Sequence, residues 1–320
     1  RRAGRGSGMN LRFILTKLFR AFLTLVLAVT FVFVVLRMSG DPVTQMLPDD
    51  APPSVIAQYR EMWGLDRPLP EQYVHYVVGI LHGDFGFSFR DDRPALDVVL
   101  ERVPLTLELG LTAFGLTLIL GLGAGLLAAL NRGTGVDHAT MAFTIFGHSM
   151  PNFFLGILLI LLFAMTWRIL PSSGTGTWAH LVLPAVTLGT SYAATVARFT
   201  RSSLLEVLHQ PFMRTARAKG VPFRRSILGH ALPNAGIPIV TVVGLRIGAL
   251  VGGAVVVEPV FAWPGIGQLL VNAVAARDLA IVQAVVLLIA FTMVVVNFLV
   301  DITYGWLDPR IGVVRGEANA

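Results

Sequence analysis

Arg246 is a side chain whose type and position could do chemistry, because it is a cation inside an otherwise apolar run from Gly236 to Val257. A desolvated guanidinium binds a carboxylate through two parallel hydrogen bonds, which orients the anion as well as attracting it. Such a charge is costly unless it faces a wet cavity or a counter-charge. Arg246 therefore predicts a position on a path for anionic solutes. The alternative is an arginine satisfied by backbone carbonyls at a subunit interface.

The basic loop 198–236 carries a second candidate. Its middle reads as a helix, a turn marked by Pro211, and a short helix that ends at Gly220. Glycine at that position supplies a left-handed C-cap, and Lys219 is favourable in the last turn. Basic residues alone would indicate only the side of the membrane on which the loop lies. They do not explain the turn or the small and apolar residues of the short helix, which predict a face for another protein's groove: Phe212, Met213, Ala216 and Ala218.

Glycines recur every four residues around Arg246, at Gly244, Gly248 and Gly252. On a helix they share a face where backbones approach closely, and Arg246 lies about 200° around from Gly244. The sequence therefore predicts that the glycine face packs and that Arg246 faces a cavity. Gly121 and Gly125 predict a second close-packing face.

Pro151 and Asn152 interrupt another apolar run, from Met141 to Trp167. They predict either a kink with a polar lining or ordinary helix bending. We assign Asn152 to the same solute path as Arg246.

The elements that position these residues are membrane helices. Hydrophobic residues make up 54% of the 320-residue chain and charged residues 14%, against about 25% charged in soluble proteins. The composition excludes disorder, coiled coils and disulfide-stapled modules, and it gives no support to nucleic-acid binding. It predicts an all-α polytopic protein, because six runs approach or exceed the length that spans a bilayer. The runs are Lys17–Leu36, Pro104–Leu130, Met141–Trp167, Leu181–Ala197 (the weakest), Gly236–Val257 and Ile281–Val300.

The first run is too long for the apolar core of a signal peptide, and no small-x-small cleavage site follows it. We therefore expect an uncleaved helix, with residues 1–16 as a basic cytoplasmic leader and residues 17–320 as one membrane domain. The loop charges predict that both termini are cytoplasmic, because 16 basic and five acidic residues then lie inside, and eight basic and 13 acidic residues outside. The outside loop 37–103 is long enough to be a folded cap, a docking surface for an extracytoplasmic partner, or both.

The basic loop resembles the cytoplasmic signature of membrane subunits in ATP-binding cassette importers. That signature is Glu-Ala-Ala, three residues, Gly, nine residues, Ile, one residue, Leu-Pro. Here Arg214-Thr215-Ala216 precedes Gly220 by the same spacing, and His230-Ala231-Leu232-Pro233 follows, although Arg214, Thr215 and His230 depart from the consensus types. The resemblance implies that one set of residues couples to an ATPase: Phe212, Met213, Arg214, Thr215, Ala216, Lys219, Gly220, Leu232 and Pro233.

Other segments resemble the B-type permease of dipeptide, oligopeptide and nickel importers over roughly residues 9–311. They are Gly64–Pro68, Gly83–Ser88, Arg102–Leu109, Val257–Gly267, Arg277–Asp278 and Leu307–Arg310. The resemblance implies a type I importer permease in the bacterial inner membrane, paired with a second permease, two ATPase domains and a solute-binding protein. It implies ATP and magnesium on the partners only. We also place Glu258 on the solute path.

The sequence contains no phosphate-binding G-x-x-x-x-G-K-[ST] loop, no H-E-x-x-H motif and no cysteine. We therefore expect no catalytic or metal site, and the energy for transport must come from a partner or an ion gradient. An ion-driven transporter or a channel subunit is the competing class, although the inverted repeats that would indicate it are not evident. The solute stays open among peptides, nickel complexes, opines, glutathione and haem-like anions.

Overall fold

The computed structural model describes residues 11–38, 43, 47, 51–62 and 64–307. In these ranges the chain is helical apart from turns, loops and a two-residue hairpin of β1 (Phe87–Ser88) and β2 (Arg93–Pro94). The α-helices are α1 (Leu11–Met38), α2 (Pro53–Met62), α3 (Leu69–Leu81), α4 (Ala95–Leu130), α5 (Gly135–Ser149), α6 (Asn152–Leu159), α7 (Trp178–Leu208), α8 (Pro211–Ala218), α9 (Phe223–Ser226), α10 (Leu232–Val260), α11 (Ile266–Ala275) and α12 (Leu279–Leu307). Two π-helical segments, Ile160–Thr166 and Ile227–Ala231, continue α6 and precede α10.

Among the described residues, four helices are each long and apolar enough to cross a membrane. The number rises to six if each of two bent helix pairs counts as one span. The all-α fold predicted from the sequence is confirmed.

The third predicted span is not one continuous helix. It divides into α5 and α6, and the two segments lie at 104° to each other. The break falls at Met150, whose backbone is extended, and Pro151, which has no N–H to donate. Ordinary bending is therefore the wrong description of this region.

The long helices α4 and α7 pack closely through glycine. An ideal Cβ on Gly125 would lie 2.5 Å from the carbonyl oxygen of Ala197, and one on Gly121 would lie 2.7 Å from the Cβ of Val196. An ideal Cβ on Gly189 of α7 would lie 2.9 Å from the carbonyl oxygen of Ala113. The close-packing face predicted at Gly121 and Gly125 is confirmed.

The length of α4 separates two ends of the molecule. The helix has 36 residues and therefore extends about 54 Å. Ala95, at its start, packs with Ile266 of α11, whereas Ala129, near its finish, packs with Met213 of α8. We call these the α11 end and the α8 end.

Several predictions concern residues near the ends of the chain. Helix α1 already begins at Leu11, so residues 11–16 are helical although we placed them in the leader. Residues 1–10 and 308–320 lie outside the described residues, and with them lies most of the segment Leu307–Arg310 that carries part of the resemblance.

Candidate functional site

Helix α8 packs against the rest of the chain through one buried side chain. Met213 is 1% exposed and packs against Leu204 of α7 and against Ile227 and Ala231 of the π-helical segment. Pro211 occupies the first turn, where its missing N–H leaves no helical hydrogen bond unmade. The amphipathic sequence of α8 is thus anchored on one side only.

The opposite side of α8 faces away from the chain. Phe212 is 41% exposed, and Arg214, Thr215 and Lys219 are exposed as well. Ala216 is half-buried. This exposed surface, an aromatic ring beside small and basic residues, could bind in a groove of another protein.

Gly220 ends α8 as the sequence predicted. Its φ is +73°, a conformation that glycine adopts without strain. The Val221 N–H donates to the Ala216 carbonyl at 3.1 Å and the Gly220 N–H to the Arg217 carbonyl at 3.0 Å. These are the two hydrogen bonds of a Schellman motif, so the chain turns sharply after α8.

Leu232 and Pro233, the last pair of the signature, begin α10. Leu232 packs against the Met213 cluster, whereas Pro233 is exposed in the first helical turn. The Asn234 side chain donates to the His230 carbonyl at 2.7 Å. The signature residues therefore form the support for α8 as well as α8 itself.

A buried ion pair between α5 and α7 was not singled out from the sequence. Asp137 of α5 is 3% exposed and forms a two-pronged bond with Arg201 of α7, Nε to Oδ1 at 2.6 Å and Nη2 to Oδ2 at 2.7 Å. The Gly133 N–H donates to the same carboxylate at 3.0 Å. In the sequence, Asp137 is an isolated acid among basic loop residues. That pattern is too weak to identify its partner, which lies 64 residues away.

Arg246 lies on the face of α10 that is directed toward α7. It is partly exposed and near enough to Tyr192 to act on it electrostatically. Gly253, seven residues further and about 20° away around the helix, packs against the same tyrosine. The chain thus places Arg246 beside the α7–α10 contact.

The predicted glycine face of α10 is not packed by this chain's own helices at Gly252, because a Cβ there would meet nothing within 4 Å. Gly244 is buried. Asn152 is half-buried at the start of α6, directly after the break at Pro151. It is a polar side chain at the point where the third span changes direction.

Glu258 occupies a different environment from the one we predicted. Its side chain is fully buried, and Oε1 accepts a hydrogen bond from the Thr106 hydroxyl at 2.7 Å. Oε2 accepts from the N–H groups of Gly267 and Gln268 at 2.6 and 3.2 Å. The Ile266 N–H donates in turn to Thr106 at 2.8 Å. Glu258 therefore caps α11 and ties it to α4, and both carboxylate oxygens are occupied by donors of this chain.

Glycine is required at two positions beside this carboxylate. A Cβ on Gly265 would clash with Oε1 of Glu258, and a Cβ on Gly267 would clash with the Cα of Val255. Trp263 is almost fully buried there and donates from its indole to the Leu105 carbonyl at 3.0 Å. The segment 258–268 is thus a tightly packed turn.

Two segments that are far apart in the sequence meet at the same end. The Ser88 hydroxyl donates to Asp278, and Gln283 of α12 donates to the Phe85 carbonyl. A cavity of about 950 Å³ opens beside this contact, between the outside loop and α12. Its lining includes Arg37, Tyr76, Arg90, Arg277 and Gln283.

Residues 121–313 of the chain match the family described as binding-protein-dependent transport system inner membrane component, and residues 10–110 match its N-terminal family. The glutathione transport system permease protein GsiC of Escherichia coli K12 is 41% identical over 302 residues, which cover 94% of this chain and 99% of that protein. The dipeptide transport system permease protein DppB of the same strain is 40% identical, over 88% of this chain and 92% of that protein.

Solved structures share the fold. A chain of the MetNI methionine ABC transporter in an inward-facing conformation aligns with a TM-score of 0.56 at 20% identity, over 66% of this chain and 96% of that one. A chain of an amino acid ABC transporter aligns with a TM-score of 0.53 at 14% identity, over 65% and 93%. At these identities the likeness establishes the type I architecture and no more.

Proposed function

The chain belongs to the family of binding-protein-dependent transport system inner membrane components, and on this premise we propose that it forms the translocation path for small peptides together with a second, different permease. A membrane subunit of this class hydrolyses no ATP, and the ATPase chains of the importer supply that reaction. The observation that carries the proposal is α8, a helix held by Met213 that exposes Phe212 at the site of the importer signature.

Coupling follows from that geometry. We place α8 in a cleft of the partner ATPase, so that closure of the ATPases on ATP moves α8 and the α7 and α10 helices that support it. The membrane subunits then alternate between inward-facing and outward-facing states. The basic residues of α8 favour an acidic cleft, and the Schellman turn at Gly220 keeps the helix at a fixed angle.

Replacement of Gly220 by Trp tests this coupling, because a positive φ disfavours any side chain with a Cβ while the open space around Gly220 avoids a clash. Membrane insertion should be normal and transport per ATP hydrolysed should be strongly reduced. Normal transport by Gly220→Trp would contradict the assignment of α8. An ion-driven transporter, the competing class, predicts uptake that continues when the partner ATPase is inactivated.

The substrate class rests on two supports, the relatives named for glutathione and dipeptides and the cation at Arg246. A peptide with a free C-terminal carboxylate fits a guanidinium that binds anions in two-pronged geometry. We place Arg246 and Asn152 on the path and Glu258 outside it, since its carboxylate is occupied within the chain. The open face at Gly252 then belongs to the contact with the second permease or to the cavity between the two.

Arg246→Gln tests the substrate assignment. Uptake of a dipeptide should fall far more than uptake of its C-terminally amidated analogue, and Arg246→Lys should restore only part of it because the planar fork is lost. Equal losses for both solutes, together with poor assembly with the second permease, would place Arg246 at the subunit interface instead.

The orientation is also part of the proposal, with both termini and α8 in the cytoplasm and the loop 37–103 outside. The charge distribution supports it. The cavity beside Arg277 then faces the solute-binding protein. Because the chain has no cysteine, single cysteines at residues 90 and 225 can be tested with a membrane-impermeant thiol reagent. Only the cysteine at residue 90 should react in intact spheroplasts, and the opposite pattern would reverse the topology.

A further inference from the structure

The turn between α4 and α5 is bound to α7 at two points, one of which adjoins α8. At the first, Asp137 receives the guanidinium fork of Arg201, two helical turns before α7 ends. At the second, Arg132 lies 3.0 Å from Nε2 of His209, the C-cap residue of α7. The α4–α5 turn and the root of α8 are therefore attached to the same stretch of α7.

The Asp137–Arg201 ion pair does more than stabilise the first turn of α5. An acid in the first turn of α5 is favourable by itself, and the Gly133 N–H already satisfies part of its carboxylate. A two-pronged guanidinium bond in a buried position adds a fixed distance and angle between two helices. Its geometry constrains how α5 can move relative to α7.

The helix held by this pair, α5, is the first half of the broken third span. From Asp137, α5 runs to the break at Pro151 and continues in α6, where Gly156 packs against Phe261 near the α11 end. A displacement that enters at α8 has two routes to that end, α7 directly and α5 with α6. The second route depends on the attachment of α5 to α7.

We propose that Asp137 and Arg201 are positioning residues that make the α4–α5 turn and α8 move as one body, so that ATPase closure displaces the third span together with α7. This inference rests on the proposed function. It assigns an energy-transmission function to a contact outside the importer signature. The residues act through α7 and α8 and touch neither ATP nor solute.

The variant Arg201→Gln distinguishes a link between α5 and α7 from simple helix capping. It removes the ion pair and leaves Asp137 with its hydrogen bond from the Gly133 N–H. In the assembled importer, solute transported per ATP hydrolysed should fall by about fivefold or more. The yield of assembled complex should stay near that of wild type. Arg201→Lys, which keeps the charge and loses the fork, should give an intermediate ratio. An effect of Asp137→Asn without any effect of Arg201→Gln would show capping alone and overturn the proposal.

The chain supplies a matched control pair at its other end. Arg93 and Glu101 also form a two-pronged bond, with both distances 2.8 Å, but the two side chains are 43% and 58% exposed. Glu101→Gln should leave transport per ATP unchanged. An equal loss in Glu101→Gln and Arg201→Gln would mean that the ratio reports general damage, which contradicts the inference.

A covalent substitute completes the test. Because the chain has no native cysteine, Asp137→Cys combined with Arg201→Cys introduces two thiols that a short bifunctional reagent can join. Joining them should restore much of the transport per ATP that the unlinked double variant lacks. No recovery after complete cross-linking overturns the inference. If wild type itself shows no solute-dependent ATP hydrolysis with its partners, the proposed function fails instead, so the two failures are distinguishable.

Discussion

The α11 end and the α8 end of this chain differ in the burial of their polar groups. At the α11 end, Glu258, Thr106 and the N–H groups of the following turn satisfy one another, and the carboxylate is completely buried. At the α8 end, Met213 alone is buried on α8, while Phe212 and its basic neighbours are exposed. A buried, hydrogen-bonded carboxylate at the first end maintains the fold, whereas an exposed hydrophobic ring at the second end is suited to a partner.

The difference explains why a charge near a membrane span is an ambiguous sign of function. Glu258 and Arg246 both lie on α10, and sequence reasoning put both on the solute path. Only the contacts distinguish them, because Glu258 has three donors within the chain and Arg246 lies partly exposed beside Tyr192.

The largest effect is expected for Glu258→Gln. The amide keeps the shape of the side chain, but its NH₂ group turns one acceptor into a donor that faces the Thr106 hydroxyl or the N–H groups of Gly267 and Gln268. Leaving either the buried Thr106 hydroxyl or the buried N–H groups without an acceptor should cost about 3 kcal/mol of unfolding free energy. Thermal unfolding in detergent, followed by size-exclusion chromatography, measures the loss.

Glu206→Gln is the control for that variant, since Glu206 is exposed near the α8 end. It should unfold at the wild-type temperature. If Glu258→Gln were as stable as wild type and slowed solute transport, the carboxylate would belong to the path after all.

A smaller effect is expected between the two ends, where α4 packs on α7. Gly125→Ala forces a methyl group against the Ala197 carbonyl and Thr200, so it should destabilise the chain by about 1 to 3 kcal/mol. Gly123→Ala, two residues away with nothing within 4 Å, should be neutral or slightly stabilising. Equal melting temperatures for the two alanine variants would refute the close contact between the helices.

The smallest effect on stability is expected at Gly220. Gly220→Ala should cost about 1 kcal/mol, because a residue with a Cβ is strained at a positive φ. Gly229→Ala, in helical backbone with open space around it, should cost less. A loss at Gly220 as large as that at Glu258 would remove the contrast between the two ends.

Much of the fold was accessible from the sequence because apolar runs determine membrane helices directly. The Gly121 and Gly125 contact followed from spacing alone, and Gly220 as a C-cap followed from local chemistry. The position of the break at Pro151 was predicted correctly. The angle between α5 and α6 was not, because it depends on what packs against both halves. Asp137–Arg201 and Ser88–Asp278 join distant segments, and local sequence patterns carry no information about such pairs.

If the exposed side of α8 enters the ATPase, a single thiol at residue 212 becomes inaccessible on assembly. In the cysteine-free chain, Phe212→Cys reacts with a soluble maleimide at a rate that reports access to the side chain. Assembly with the partner ATPase, without the solute-binding protein, should slow labelling at residue 212 markedly and leave labelling of Phe89→Cys, which is similarly exposed at the α11 end, unchanged. Labelling at residue 212 that is as fast in the assembled importer as in the isolated chain would show that α8 does not enter the ATPase.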